Sequence, residues 1–212
     1  MNTNEQLEME KIIAQEQQNN NIPTLLLHSC CAPCSSYVLE TLSNYFKITI
    51  FYYNPNIYPI KEYLKRKEEE QKFIKLFPSK YEIKMLDCDY DSNLFFEMAK
   101  GLENLKEGEK RCYLCYQLRM EKTAITAKEN NFDYFTTTLS ISPYKNSSWI
   151  NKIGRSLEDK YGIHYLPADF KKKNGYKRSI ELSNIYNLYR QDYCGCIYSK
   201  VEREKQKQEI HN

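Results

Sequence analysis

The alternation of apolar and polar stretches divides the chain into strands separated by amphipathic helices. A polar helix is expected over residues 4 to 20, ending in a run of asparagines and Pro23. "TLLLH" at 24 to 28 and "KITIFYY" at 47 to 53 have the short, β-branched or aromatic character of buried strands, with a helix over 33 to 44 between them. "NPNIYP" breaks the chain before a charged helix, "IKEYLKRKEEEQKFIKLF". A third strand, "YEIKMLD" at 81 to 87, precedes helical "DSNLFFEMAKGL", for which Asp91 or Ser92 can serve as the N-cap. A helix over 112 to 130 leads into a fourth strand, "FDYFTTTLS". A helix near 147 to 160, the short "HYLP" and a helix over 175 to 189 follow.

Strands alternating with helices predict an α/β fold, with one parallel, Rossmann-like sheet flanked by helices. Functional groups in such sheets gather beyond the carboxyl ends of the strands. That rim would collect Cys30 and Cys31 after the first strand, Asp89 and Asp91 after the third, and "SPYKN" at 142 to 146 after the fourth. The expected organisation is one catalytic domain over 21–200, a polar N-terminal extension over 1–20 and a charged C-terminal tail over 201–212.

Net charge is +3 and the pI is near 8.3, so any nucleic-acid surface must arise from local clustering of Lys and Arg. The N-terminal residues lack the apolar core of a secretion signal, and no stretch approaches the roughly 18 apolar residues of a membrane span. A cytoplasmic protein without a membrane partner is expected. In that reducing compartment eight cysteines point to metal binding or thiol chemistry rather than structural disulfides.

Seven of the eight fall into three groups: Cys30, Cys31 and Cys34; Cys112 and Cys115; Cys194 and Cys196. Two thiols three positions apart in "RCYLCYQLR" share a helical face. Four thiolates suit zinc or an iron–sulfur cluster, and spacing does not separate the two; the thiols beyond four favour electron transfer. Cys194 and Cys196, flanking Gly195, can form a labile short-loop disulfide or ligate metal through a tight turn. Cys88 stands alone as a bystander.

The segment "DFKKKNGYKRSIELSNIYNLYRQDYC" interleaves cations with tyrosines, which suits phosphate attraction and base stacking in RNA. Lys171, Lys172, Lys173, Tyr176, Lys177 and Arg178 are its substrate-binding candidates, equally readable as a solvated face. Lys145 and Asn146 either cap the next helix or contact substrate. His28 fits best as a hydrogen-bonded histidine at a strand end.

Taken together, "HSCCAPCS", "YNPNIYP", "RCYLCYQLRMEKTAITAKENNFDYFTTTLSISPYKN", "INKIGRSLEDKYGIHYLPADFKK" and "NLYRQDYCGCIYS" resemble epoxyqueuosine reductases of the QueH type, over residues 24 to 200. The resemblance implies a nucleotide-α-hydrolase-like (HUP) sheet. The loop after its first strand, glycine-rich and phosphate-binding in related proteins, carries thiols here. It also implies reduction of epoxyqueuosine to queuosine at the tRNA wobble position, the last step of queuosine biosynthesis. A [4Fe-4S] cluster, an additional mononuclear iron and no cobalamin are implied as cofactors.

Carried over by motif, Cys30, Cys31, Cys112 and Cys115 are the expected cluster ligands and Cys194 with Cys196 the redox-active pair. Cys34 and Asp91 are the expected ligands of a second iron, with Asp89 and Asp169 as other candidates. Tyr189, Arg190 or His28 would deliver protons. The implied partners are tRNA carrying epoxyqueuosine and an electron donor. Two rivals predict other properties. A zinc-stabilised RNA-binding module is colourless and redox-inert, and a tRNA-thiolation enzyme needs an ATP-binding glycine loop that does not follow the first strand.

Overall fold

The computed structural model describes residues 4–211. The expected extension and tail therefore lie partly outside the described residues, at positions 1–3 and 212. Eight α-helices and five strands are described: α1 (Glu5–Gln18), β1 (Thr24–His28), α2 (Ala32–Leu42), β2 (Lys47–Phe51), α3 (Ile60–Leu76), β3 (Lys84–Leu86), α4 (Ser92–Ala99), α5 (Lys110–Glu129), β4 (Tyr134–Thr137), α6 (Ser147–Tyr161), β5 (His164–Tyr165), α7 (Gly175–Ile185) and α8 (Ile197–His211). A 3-10 turn, Thr138–Ile141, continues directly from β4.

All strand pairs are parallel, in the order β3-β2-β1-β4-β5. The central strand β1 is buried on both sides, as expected of a strand between two helical layers. Leu25 and Leu27 point into a core with Val38, Leu39, Ile48, Ile50 and Phe73; Leu26 points the other way, toward Met120, Phe135, Ile150 and Ile153. The chain moves outward from β1 in one direction through β2 and β3 and in the other through β4 and β5. The loops after β1 and β4 thus diverge at the reversal point, where sheets of this kind form their ligand crevice.

Three departures from the sequence expectation matter. First, α1 is polar overall, yet Met9 and Ile13 are buried in the core containing Leu25 and Leu27. Arg155 of α6 forms a two-bonded pair with Glu8 (2.8 and 2.7 Å), and Tyr134 donates to Glu16 (2.6 Å). The segment expected as an extension is docked on the domain. Second, the charged segment expected as a tail is helical as part of α8. Third, α7 stops at Ile185, four residues before the expected end, because Asn187 takes a left-handed conformation (φ 50°).

Because Met9 is 1% exposed, Met9→Ala should cost about 2–5 kcal/mol. The expected readout is a lower urea midpoint with an unchanged slope. An unchanged midpoint would mean that α1 contributes nothing to the folded domain.

Candidate active site

β1 ends in His28, which is fully buried. Its Nε2 donates to the Tyr53 carbonyl (3.1 Å), leaving Nδ1 to accept from the Thr137 hydroxyl (2.8 Å). Burial, with the Arg119 charge adding to it, lowers its pKa to about 3, and its two hydrogen bonds join the end of β1 to β4 and to the segment just after β2.

Ser29 follows, and then the thiols. Cys31 occupies the N-cap position of α2, with Pro33 in the first turn, where a missing N–H costs nothing. The α2 N-terminus presents the positive end of its dipole to the sulfurs. Cys30 Sγ lies 3.8 Å from Cys31 Sγ, and Cys31 Sγ lies 2.8 Å from Cys34 Sγ. Hydrogen bonds from the Cys31 and Cys34 thiols hold Cys30 well below the ordinary thiol pKa. Cys31 is pushed up chiefly by burial, and Cys34 by its two sulfur neighbours.

Among the described residues, these three form the one group of three or more His, Cys, Asp or Glu ligand atoms lying within 4.8 Å of one another. Asp91 is not a member. It is exposed and caps α4 through the Asn93 N–H (3.0 Å). Asp169 accepts from Ser147 (3.1 Å) and pairs with Lys171 (3.2 Å).

Cys112 and Cys115, on the first turns of α5, line a small pocket together with Cys194, Cys196 and Arg119. The turn carrying Cys194 and Cys196 is fixed from the α3 side: Arg66 Nη1 donates to the Cys194 carbonyl (3.2 Å) and the Tyr58 N–H to the Gly195 carbonyl (2.9 Å). Gly195 is required there, since its φ is +122° and an added Cβ would come within 3.0 Å of Arg66 and Ile57. Burial pushes Cys115 up to about 11 and Cys194 up to about 12.

Cys194 also lines a second, larger cavity of about 480 Å³, together with Cys30, Cys34, Lys145, Tyr176 and Arg190. One wall comes from α8, through Ser199, Glu202, Arg203 and Gln206. Gln191 lines it too, and its Nε2 donates to Cys31 Sγ (2.9 Å) while its Oε1 has no partner. The cavity is thus a mixed polar and apolar chamber with thiols on its inner face, of a size suited to a small-molecule-sized group.

The other expected residues divide between the chamber and the scaffold. Lys145 and Tyr176 face the chamber, and so does Arg190, with its guanidinium 5.9 Å from the Tyr176 ring. Tyr189 turns toward α3, donating to Glu62 (3.3 Å) beneath the Lys65 ammonium. Asn146 caps α6 by accepting from the Trp149 N–H (3.1 Å). Lys171 donates to the carbonyls of Ser140 (3.1 Å) and Lys145 (3.3 Å), bracing the loop that carries Lys145. Lys173 pairs with Glu10 of α1, and Arg178 with Glu40 of α2. Lys172 and Lys177 are exposed.

The placing of cations against sulfur was not read from the sequence, although Lys145 was a candidate there for contacting substrate. Arg119 and Lys145 reach the thiols, yet neither forms a salt bridge with a carboxylate among the described residues. Burial opposes both charges, and the sulfurs around them more than offset it: Cys115, Cys194 and Cys30 for Arg119; Cys194, Cys30 and Cys34 for Lys145. Buried cations need anionic partners; burial keeps Cys115 and Cys194 protonated on their own, so these sulfurs would meet the cations as anions only with a metal bound. A soft-metal or iron–sulfur centre requires deprotonated sulfur, and this donor set fits one.

Comparison with known proteins places the chain in a family. The family model described as "Epoxyqueuosine reductase QueH" matches residues 25–202. The chain belongs to the epoxyqueuosine reductase QueH family. It is 43% identical over 199 residues to "Epoxyqueuosine reductase QueH" of Staphylococcus epidermidis, covering 92% of this chain and 84% of that protein. It is 46% identical to the protein of the same name from Acinetobacter baylyi (85% and 82% covered), and 36% identical to that from Thermotoga maritima (88% and 95%). A solved structure titled as a predicted subunit of tRNA methyltransferase from Methanocaldococcus jannaschii aligns with a TM-score of 0.46 at 15% identity, covering 74% of this chain and 72% of that one. The family match contains all three cysteine groups and the start of α8, leaving only Arg203 and Gln206 of the chamber lining beyond it.

Behind the triad, Glu70 is wholly buried in the middle of a charged helix and neither carboxyl oxygen has a hydrogen-bond partner. Burial raises its pKa to about 8, against an ordinary value of 4.5. Between those values the unfolded chain loses this proton while the folded chain keeps it, so stability falls as pH rises, by up to ~1.4 kcal/mol per unit. Glu70→Gln should remove that slope in urea titrations between pH 5 and pH 8; an identical pH dependence in both proteins would show that Glu70 is ionised in the fold.

Proposed function

We propose that this chain is a cytoplasmic oxidoreductase that reduces epoxyqueuosine to queuosine in the wobble position of tRNA. The observation that carries the reading is the chamber itself: a cavity open to a nucleoside-sized group, lined by thiols and by Lys145 and Arg190, in a chain of the epoxyqueuosine reductase QueH family. Opening the epoxide to an alkene consumes two electrons and two protons and releases the oxygen as water. Electrons must therefore reach the chamber from an external donor.

Cys30, Cys31, Cys112 and Cys115 would hold a [4Fe-4S] cluster, and Cys34 would contribute to an additional iron beside Cys30 and Cys31. When bound, a cluster of this type supplies electrons one at a time. The rest follows from the chain's own residues. Tyr176 and Arg190 offer a ring and a planar cation to the modified base. The Lys145 ammonium, held charged by its sulfur neighbours, presents N–H donors to the departing oxygen. Cys194 and Cys196 form the dithiol/disulfide couple that stores an electron pair next to the substrate, and Cys194 faces both the thiol pocket and the chamber. Partial enclosure of the chamber limits water around the reacting carbon atoms.

Two measurements test this reading. Anaerobically reconstituted protein, incubated with dithionite and tRNA bearing epoxyqueuosine, should give a nucleoside lighter by one oxygen atom in mass spectrometry; unchanged substrate with an intact cluster would assign the chamber to another reaction. Among variants, Cys112→Ala should lose both cluster iron and turnover, whereas Cys196→Ala should retain most iron and lose turnover. Loss of all iron from Cys196→Ala would make the Cys194–Cys196 turn a metal ligand instead.

A further inference from the structure

Three arginines are almost completely buried, and they differ in how their charge is met. Arg66 is paired with Glu62 at 2.7 Å. Arg111 donates to the carbonyls of Leu102, Glu103 and Leu105 and lies over the Tyr198 ring at 4.6 Å. Arg119 has no carboxylate partner; its guanidinium lies 5.9 Å from the Tyr116 ring, and like Arg66 it keeps one nitrogen without a partner. Its Nε donates to the Cys115 carbonyl (3.1 Å) and its Nη1 reaches Asn54 (3.5 Å), but Nη2 is buried with no partner. That guanidinium lines the pocket shared by Cys112, Cys115, Cys194 and Cys196.

A guanidinium is always charged, and leaving one of its donors unsatisfied in the interior is costly unless an anion occupies the facing space. The facing groups here are sulfurs. A thiolate-ligated iron–sulfur centre is anionic and becomes more so on reduction, and hydrogen bonds and charges at its sulfurs set its potential.

We propose that Arg119 is a positioning residue of the metal–sulfur centre: its free Nη2–H donates to sulfur of that centre, and its charge raises the centre's reduction potential. The proposal rests on the reading above that the thiols hold such a centre. Its consequence is functional, because a fixed cation beside the sulfurs brings the centre within reach of a cellular electron donor and persists while the substrate chamber fills and empties. Lys145 is the second cation near these sulfurs, but it lies on a loop at the chamber surface and is placed to meet substrate. Arg119 projects from the middle of α5, one turn after Cys115, with no access to substrate through the chamber lining.

The test is a redox titration of anaerobically reconstituted, full-length protein without tRNA, followed by electron paramagnetic resonance. Arg119→Gln should shift the midpoint to lower potential at undiminished iron and sulfide content, and Arg119→Lys, which restores the charge, should recover most of the shift. An unchanged midpoint in Arg119→Gln, or equal shifts in both variants, would overturn the proposal. Should Arg119→Gln fail to fold or to retain iron, electron–nuclear double resonance on reduced wild-type protein labelled with nitrogen-15 arginine reads the same contact without a substitution. Coupling of an arginine nitrogen to the cluster spin is expected, and its absence would overturn the proposal. A midpoint shift in Arg119→Gln together with an iron-loaded wild type that leaves epoxyqueuosine unchanged would defeat the functional reading alone; an active wild type with no shift in Arg119→Gln would defeat only the role of Arg119.

Discussion

The constraint on which the site depends is the burial of positive charge beside sulfur. Buried Arg119 and half-buried Lys145 lie near Cys30, Cys34, Cys115 and Cys194, and among the described residues neither forms a salt bridge to a carboxylate. In a low-dielectric interior such cations are tolerable only if the sulfurs carry the compensating charge. Burial keeps Cys115 and Cys194 protonated on their own, and binding a soft metal would convert them to the thiolates that these cations call for. A metal held by these thiols would therefore act on the stability of the fold as well as on its chemistry.

The sheet makes that place possible. Reversal of strand order between β1 and β4 leaves a crevice, and the loop entering it from β1 carries Cys30 and Cys31 where phosphate-binding relatives of this architecture carry glycine. The helix dipole of α2 acts in both cases, on a phosphate in one and on thiolate in the other. Helix α5 and the turn at Gly195 bring four more thiols from the far side, and Arg66 joins that turn to α3. Chemistry from three distant parts of the chain is thereby gathered without any one segment being functional alone.

Much of this was legible in the sequence, for reasons specific to each element. The strands announced themselves because central parallel strands are continuously apolar, and the cysteine groups did so by their spacing. The role of α8 was obscured because "VEREKQKQEI" has the composition of a solvated tail. Its Glu202, Arg203 and Gln206 nevertheless form a chamber wall. Glu70 was hidden inside "KRKEEEQK", which reads as surface charge, although Tyr63, Arg66, Glu70 and Phe73 share one buried face of α3. The basic segment raised the opposite difficulty. Lys173 and Arg178 hold α1 and α2 through Glu10 and Glu40, and only contacts distant in sequence reveal that use. Arg119 carried no signal, because a missing partner is a property of packing and not of composition.

The most direct test of the central claim is anomalous X-ray scattering at the iron edge from crystals of this protein grown without oxygen. Iron density enclosed by the thiols of Cys30, Cys31, Cys112 and Cys115, with Arg119 facing its sulfurs, is the predicted result. Density for zinc alone, or sulfurs hydrogen-bonded to one another with no metal between them, would contradict it.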